Sequence, residues 1–146
     1  MFTSVAQVKS EGNFSDTIED RVFEPHIIKA VIELKKILTP AKYAEIEALN
    51  HNEEAFTSCA IAEANLAVAY ALPSLNMETQ GSGVVKIRGW DQSRSELLDQ
   101  DEIAKRQKHY RSVAMDIIKA YIPKDLPDGE ISGEEIRGAD YRLSAL

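Results

Sequence analysis

A single cysteine, Cys59, stands in 146 residues. One thiol cannot close an internal bridge, so a disulfide-stapled secreted fold is excluded and a reducing, intracellular setting is expected. Bases are also in short supply: 17 Lys and Arg face 24 Asp and Glu, a net charge of -7. That balance opposes sequence-independent binding to phosphate backbones or to anionic lipid. No stretch approaches the roughly 20 apolar residues of a membrane span, because the richest, 60–72, is interrupted by Glu63 and Asn65. The N-terminus lacks the basic start and apolar run of a signal peptide. Low-complexity tracts and internal repeats are missing too, which leaves one domain, 1–146, as the expectation. A chain of about 150 residues hides roughly 70% of its extended surface on folding, so it needs no structural metal or disulfide to hold a core.

What is present is a series of helix signals. The opening residues 1–15 carry scattered apolar side chains (Phe2, Val5, Val8, Phe14) among Gly12 and several Ser, the composition of a loosely held arm. Pro25 disfavours helix at Glu24 and suits the first helical turn, so a helix is predicted from Pro25. Its stripe is Ile27, Val31, Leu34 and Leu38, widened by Ile28 and Ile32. Thr39 as N-cap and Pro40 behind it open a short second helix with Tyr43, Ile46 and Leu49 on one side, ending near Asn50.

Asn50 with Glu53 three residues on has capping-box form, and the segment to Leu72 is predicted to be a third helix, stopped by Pro73. Alanines at 55, 60, 62, 64, 67, 69 and 71 surround it. A helix apolar on all sides is buried on all sides, and small residues let neighbours approach closely, so this is the expected central helix. Residues 80–83 are expected to be a flexible turn leading into one short β segment or hairpin at 84–90. It must pair with another part of this chain, such as the N-terminal arm, or with a neighbouring subunit. Ser93 to Glu96 has the S-x-x-E form of a capping box and is predicted to open the longest helix, reaching about Ile122 before Pro123. Residues 124–146 have no sustained period and form an acidic tail, six acids against three bases. The fold class is therefore mainly α: a small helical bundle with its core at about 25–122 and extended N- and C-terminal arms.

Chemistry-bearing patterns are sparse. His26, His51 and His109 lie in separate segments with no second ligand at metal spacing, so no metal site is expected. Cys59 has no basic neighbour in its Ala-rich helix, which suits a small buried hydrophobe better than a nucleophile. Asp128 to Glu135 mimics the second half of a calcium loop, but Lys124 and Leu126 occupy the places of the first and third ligands. Gly81, Gly83 and Gly89 match neither a P-loop nor a dinucleotide fingerprint, so no nucleotide cofactor is expected. Glu63 is the one carboxylate inside the apolar helix. A buried acid is a functional hint; the structural alternative is that it faces a helix boundary and pairs with a base of the last helix. Lys105, Arg106, Lys108 and Arg111 form the densest basic cluster, expected as a solvated or subunit-facing stripe. No base, nucleophile and oxyanion donor can be assembled, so an enzyme is not expected.

The order of parts carries more information than any site. A short helix after Leu38-Thr39-Pro40, an Ala-rich helix ending Ala69-Tyr70-Ala71-Leu72-Pro73, an irregular insertion, and a long helix bearing the run from Lys108 to Ile118 together resemble the small helical head-to-tail connector (adaptor) proteins of tailed bacteriophages. The resemblance covers roughly 38–122. It implies a non-enzymatic virion protein, made in the host cytoplasm and built into the neck. There a homo-oligomeric ring, a dodecamer in that family, would stack under the portal, receive the next neck or tail protein and line the channel through which DNA passes. An acidic subunit suits a channel that must not grip DNA. The expected interface residues are Val84, Val85, Lys86, Ile87, Arg88 and Trp90 in the β segment, with Ile131, Ile136, Tyr141, Leu143 and Leu146 in the tail. Both segments suit completion by a neighbour through strand addition or ordering on assembly. The alternative is that both fold back on their own core. The competing function is a stand-alone helical protein-binding or regulatory module.

Overall fold

The computed structural model describes residues 1–78, 85–87, 95–97 and 100–124. Among them are five α-helices: α1 (Val5–Gly12), α2 (Glu24–Leu38), α3 (Pro40–Glu47), α4 (Glu54–Glu78) and α5 (Gln100–Ile118). Two three-residue strands, β1 (Val85–Ile87) and β2 (Ser95–Leu97), pair antiparallel with Ile87 opposite Ser95. The protein is a small helical bundle, as its patterning predicts.

The axis of the bundle is α4, which packs most extensively against α5, then α2 and α1. Its Ala62, Ala64, Ala67, Ala69 and Ala71 are all fully buried, so three helices approach a surface made largely of methyl groups. By length and composition, 54–75 would suffice to cross a membrane, with a mean hydropathy of 1.4 in its apolar window. The expectation that no stretch reaches that length is corrected, because Glu63 and Asn65 lie inside the run without bringing it below that threshold. In the fold 72% of that window is buried inside the bundle, which accounts for its composition without lipid.

Several local expectations are corrected. Residues 1–15 are not a loose arm: Ser4 caps α1 by accepting from the Gln7 N–H, and Phe2 and Val8 join the core. Asn13 ends this helix in the left-handed region (φ 52°), its N–H returning to the carbonyls of Lys9 and Ser10. A side chain at Gly12 would collide with the Phe14 ring, a Cβ there falling 2.3 Å from it. The missing Cβ lets Phe14 fold back and meet Phe23, ring centres 5.3 Å apart.

Helix α2 starts within a residue of Pro25, but its buried face is His26, Ile27, Ala30, Glu33, Leu34 and Leu38. Ile28 and Ile32 point to solvent at 60% and 50% exposure. They lie on the opposite side of the wheel from Ala30 and Leu34, where no described helix packs. Thr39 caps α3 as predicted, its hydroxyl accepting from the Lys42 N–H at 3.3 Å. Asn50 forms a turn with Asn52 and Glu53 instead of the expected cap, and α4 begins at Glu54.

Pro73 does not stop α4, which continues to Glu78. Proline lacks the N–H that would bond the carbonyl four residues back. That carbonyl, on buried Ala69, instead accepts from Gln107 Nε2 of α5 at 2.8 Å. The Ser93 to Glu96 capping box is also corrected: Ser95 and Glu96 belong to β2, and α5 begins at Gln100 with Asp101 and Glu102 in its first turn, favourably placed on the helix dipole. Within the strands, Val85, Lys86 and Ile87 pair inside the chain, not with the N-terminal arm.

Candidate functional site

The one carboxylate predicted inside the apolar helix is the organising polar group of the core. Glu63 is fully buried. Its Oε1 accepts the backbone N–H groups of Phe2 (2.9 Å) and Thr3 (3.0 Å), and its Oε2 accepts the Tyr43 hydroxyl (2.8 Å). Nearby, the Met1 ammonium pairs with Glu47. The pairing with a base of the last helix is thus corrected: main-chain donors of the N-terminal segment take that place. Around this carboxylate the Phe2 ring tilts against Tyr43 (4.6 Å) and meets Phe56 edge-on (5.1 Å), while His51 stacks on Phe56 (4.5 Å).

Burial pushes the Glu63 pKa up, against the pull of its three donors. It also pushes up the Tyr43 hydroxyl, with the neighbouring Glu63 charge adding to the effect. The carboxylate oxygens are thus held by three donors, with the rings of Phe2, Tyr43 and Phe56 packed around them. Cys59, one turn earlier on α4, is buried and its thiol is pushed up to about 11 by burial and by Glu63. It is a protonated hydrophobe at neutral pH.

A second polar junction lies further along α4. Tyr70 donates its hydroxyl to the buried Glu33 of α2 at 2.6 Å. The guanidinium of Arg111 lies 5.2 Å from the Tyr70 ring centre, and Lys29 Nζ 5.8 Å from it. This divides the predicted basic cluster, since Lys105, Arg106 and Lys108 are exposed while Arg111 turns inward. Burial raises the Tyr70 pKa, Glu33 adds to that, and Arg111 opposes it. A third junction holds Lys9, whose ammonium donates to the Ile18 carbonyl (2.6 Å) and to Asp20 (2.8 Å). Beside it a shallow surface depression of about 360 Å³ is lined by Ala6, Lys9, Ser10, Asn13, Phe14 and Asp16.

These junctions tie helices together. Each pairs a hydroxyl or an ammonium with a carboxylate or a carbonyl between packed segments, and among the described residues no three metal-ligating side chains converge. His26 is buried on α2, His51 lies on Phe56, and His109 lies edge-on to Tyr110.

Of the predicted interface residues, Val85, Lys86 and Ile87 make up β1. Val84, Arg88, Trp90, Ile131, Ile136, Tyr141, Leu143 and Leu146 lie outside the described residues. The surface feature that sequence reasoning missed is the exposed pair Ile28 and Ile32. Their spacing of four, with Lys29, Lys35 and Lys36 around them, carries the signal, but the same spacing also fits a widened core stripe. No protein-family model matches the chain, and neither the curated proteins nor the solved structures yield a match.

Proposed function

We propose that this chain is a non-enzymatic virion component, a head-to-tail connector that acts as a ring subunit between the portal and the neck or tail of a bacteriophage. One observation carries the reading. Two of the segments on which the resemblance rests, 69–73 in the C-terminal part of α4 and 108–118 of α5, lie against each other. Tyr70 faces Arg111 across 5.2 Å, and Gln107, one residue ahead of the second segment, holds the Ala69 carbonyl. They form one structural unit, with the β1–β2 hairpin between them in the chain. The closed polar junctions support a scaffold in preference to a catalyst, and the net charge of -7 supports a channel wall that DNA slides past.

The test is a native mass measurement of the purified protein alone and with the portal ring of the same phage. A connector forms a ring or joins the portal. A protein that stays monomeric and leaves the portal unbound is instead the stand-alone helical module. Deleting 131–146 gives a second test: the circular dichroism of the helical core persists while incorporation into particles is lost.

A further inference from the structure

Among the described residues, the large apolar side chains left exposed are Met1, Ile28, Ile32 and Leu49. They sort into two patches of opposite charge. Ile28 and Ile32 stand one turn apart on the solvent face of α2, flanked by the exposed Lys29, Lys35 and Lys36, with Glu24 the single exposed acid of that helix. Leu49 and Met1 lie at the other corner, where α3 ends and α4 begins. There the exposed Glu45, Glu47, Glu53 and Glu54 outnumber Lys42 and the Met1 ammonium.

The two patches sit at opposite ends of the bundle. Glu33 bonds Tyr70 while Tyr43 bonds Glu63, so the α2–α3 segment runs against the direction of α4. Ile28 therefore lies toward the C-terminal end of α4 and Leu49 beside its N-terminal end. At about 1.5 Å of rise per residue, the separation along the axis is about 30 Å. A patch that is apolar and basic, and another that is apolar and acidic, cannot meet within one molecule at that distance.

We propose that the Ile28/Ile32 face of α2 docks onto the Leu49 corner of a second copy of this chain, head to tail. Pairing two α2 faces would set lysines against lysines, whereas the head-to-tail contact pairs each charge with its opposite and buries the exposed apolar side chains. Such a heterologous contact propagates, closing into a ring or continuing as a filament according to its rotation. The inference deepens the ring-subunit reading proposed above, on which it rests, by naming the two faces that meet, and its failure is distinct from the failure of that reading because a chain that is monomeric alone can still join the portal.

The experiment is sedimentation velocity on the full chain and on two charge-reversed variants, K29E/K36E and E53K/E54K, each checked for helicity by circular dichroism. The wild type sediments as an oligomer whose size falls with added salt, and each variant alone sediments as a single chain. Mixing the two variants restores the oligomer, because the acidic α2 face of one now meets the basic corner of the other and the remaining pair of faces also matches. A wild type that is monomeric, a variant that associates as the wild type does, or a mixture of folded variants that stays monomeric overturns the proposal.

Discussion

The side-chain amide of Gln107 on α5 donates to the main-chain carbonyl of Ala69 on α4, the carbonyl that Pro73 leaves without its helical donor. The proline and the glutamine are thus two halves of one arrangement. Pro73 frees an acceptor in the buried middle of α4, and Gln107 satisfies it while fixing α5 against the central helix. A helix can carry an internal proline when a neighbour re-satisfies the freed carbonyl.

Gln107→Leu therefore destabilises the protein by about 1–3 kcal/mol, the cost of a buried acceptor left unpaired. In a Pro73→Ala background the new N–H at position 73 bonds Ala69, and the same Gln107→Leu change costs well under half as much. Urea denaturation of the four proteins in this double-mutant cycle reads the coupling directly. Equal costs in the two backgrounds would show that Gln107 acts only through packing.

Thr39 carries an unusual backbone, φ 73° and ψ 147°, while its hydroxyl caps α3. A β-branched residue is strained in that region, which glycine enters freely. Thr39→Ala loses the cap and keeps the strain, costing about 1 kcal/mol. Thr39→Gly loses only a few tenths from the cap and relieves the strain, so it raises stability by about 1 kcal/mol. Thermal denaturation of both variants checks this reversal of the ordinary Ala-over-Gly order.

Much of the bundle was legible because its signals are local. Thr39-Pro40 marks the α2–α3 break, Pro25 marks the start of α2, and the alanines of α4 announce a helix buried on every side. What was hidden depends on partners distant in sequence. Nothing near Pro73 says that a glutamine 34 positions later accepts its consequence, and nothing in 1–15 says that Glu63 binds its backbone. Ile28 and Ile32 have the same spacing as core residues, so periodicity alone could not assign them to the outer face. The polar junctions of the core were legible only as a lone acid within an apolar run.

Cys59 gives a direct probe of core integrity. Its buried thiol, with a pKa near 11, is both inaccessible and protonated at neutral pH. A disulfide reagent such as Ellman's is expected to leave it unmodified in the folded protein and to titrate one thiol per chain in denaturant. Rapid labelling under native conditions would mean that the α3–α4 region opens readily.

Glu63 makes the N-terminal segment sensitive to protonation in a direction that can be worked out. Its folded-state pKa is raised by burial above the ordinary glutamate value of 4.5, although the N–H groups of Phe2 and Thr3 and the Tyr43 hydroxyl oppose the shift. The folded protein then holds a proton over a pH range in which the unfolded chain has released it. The stability contributed by this linkage is fully present below the unfolded value and is lost as pH rises through the raised folded value. Glu63→Gln keeps the shape of the side chain and removes the titration. The wild type should therefore gain stability relative to Glu63→Gln as pH falls from neutral toward 4.5, in urea denaturation run at a series of pH values. Glu63→Ala strands three donors and costs about 3 kcal/mol or more, with faster hydrogen exchange at the Phe2 and Thr3 amides. If acidification instead favours Glu63→Gln over the wild type, the three donors outweigh burial, and the carboxylate works as a permanently charged clamp on the N-terminal segment.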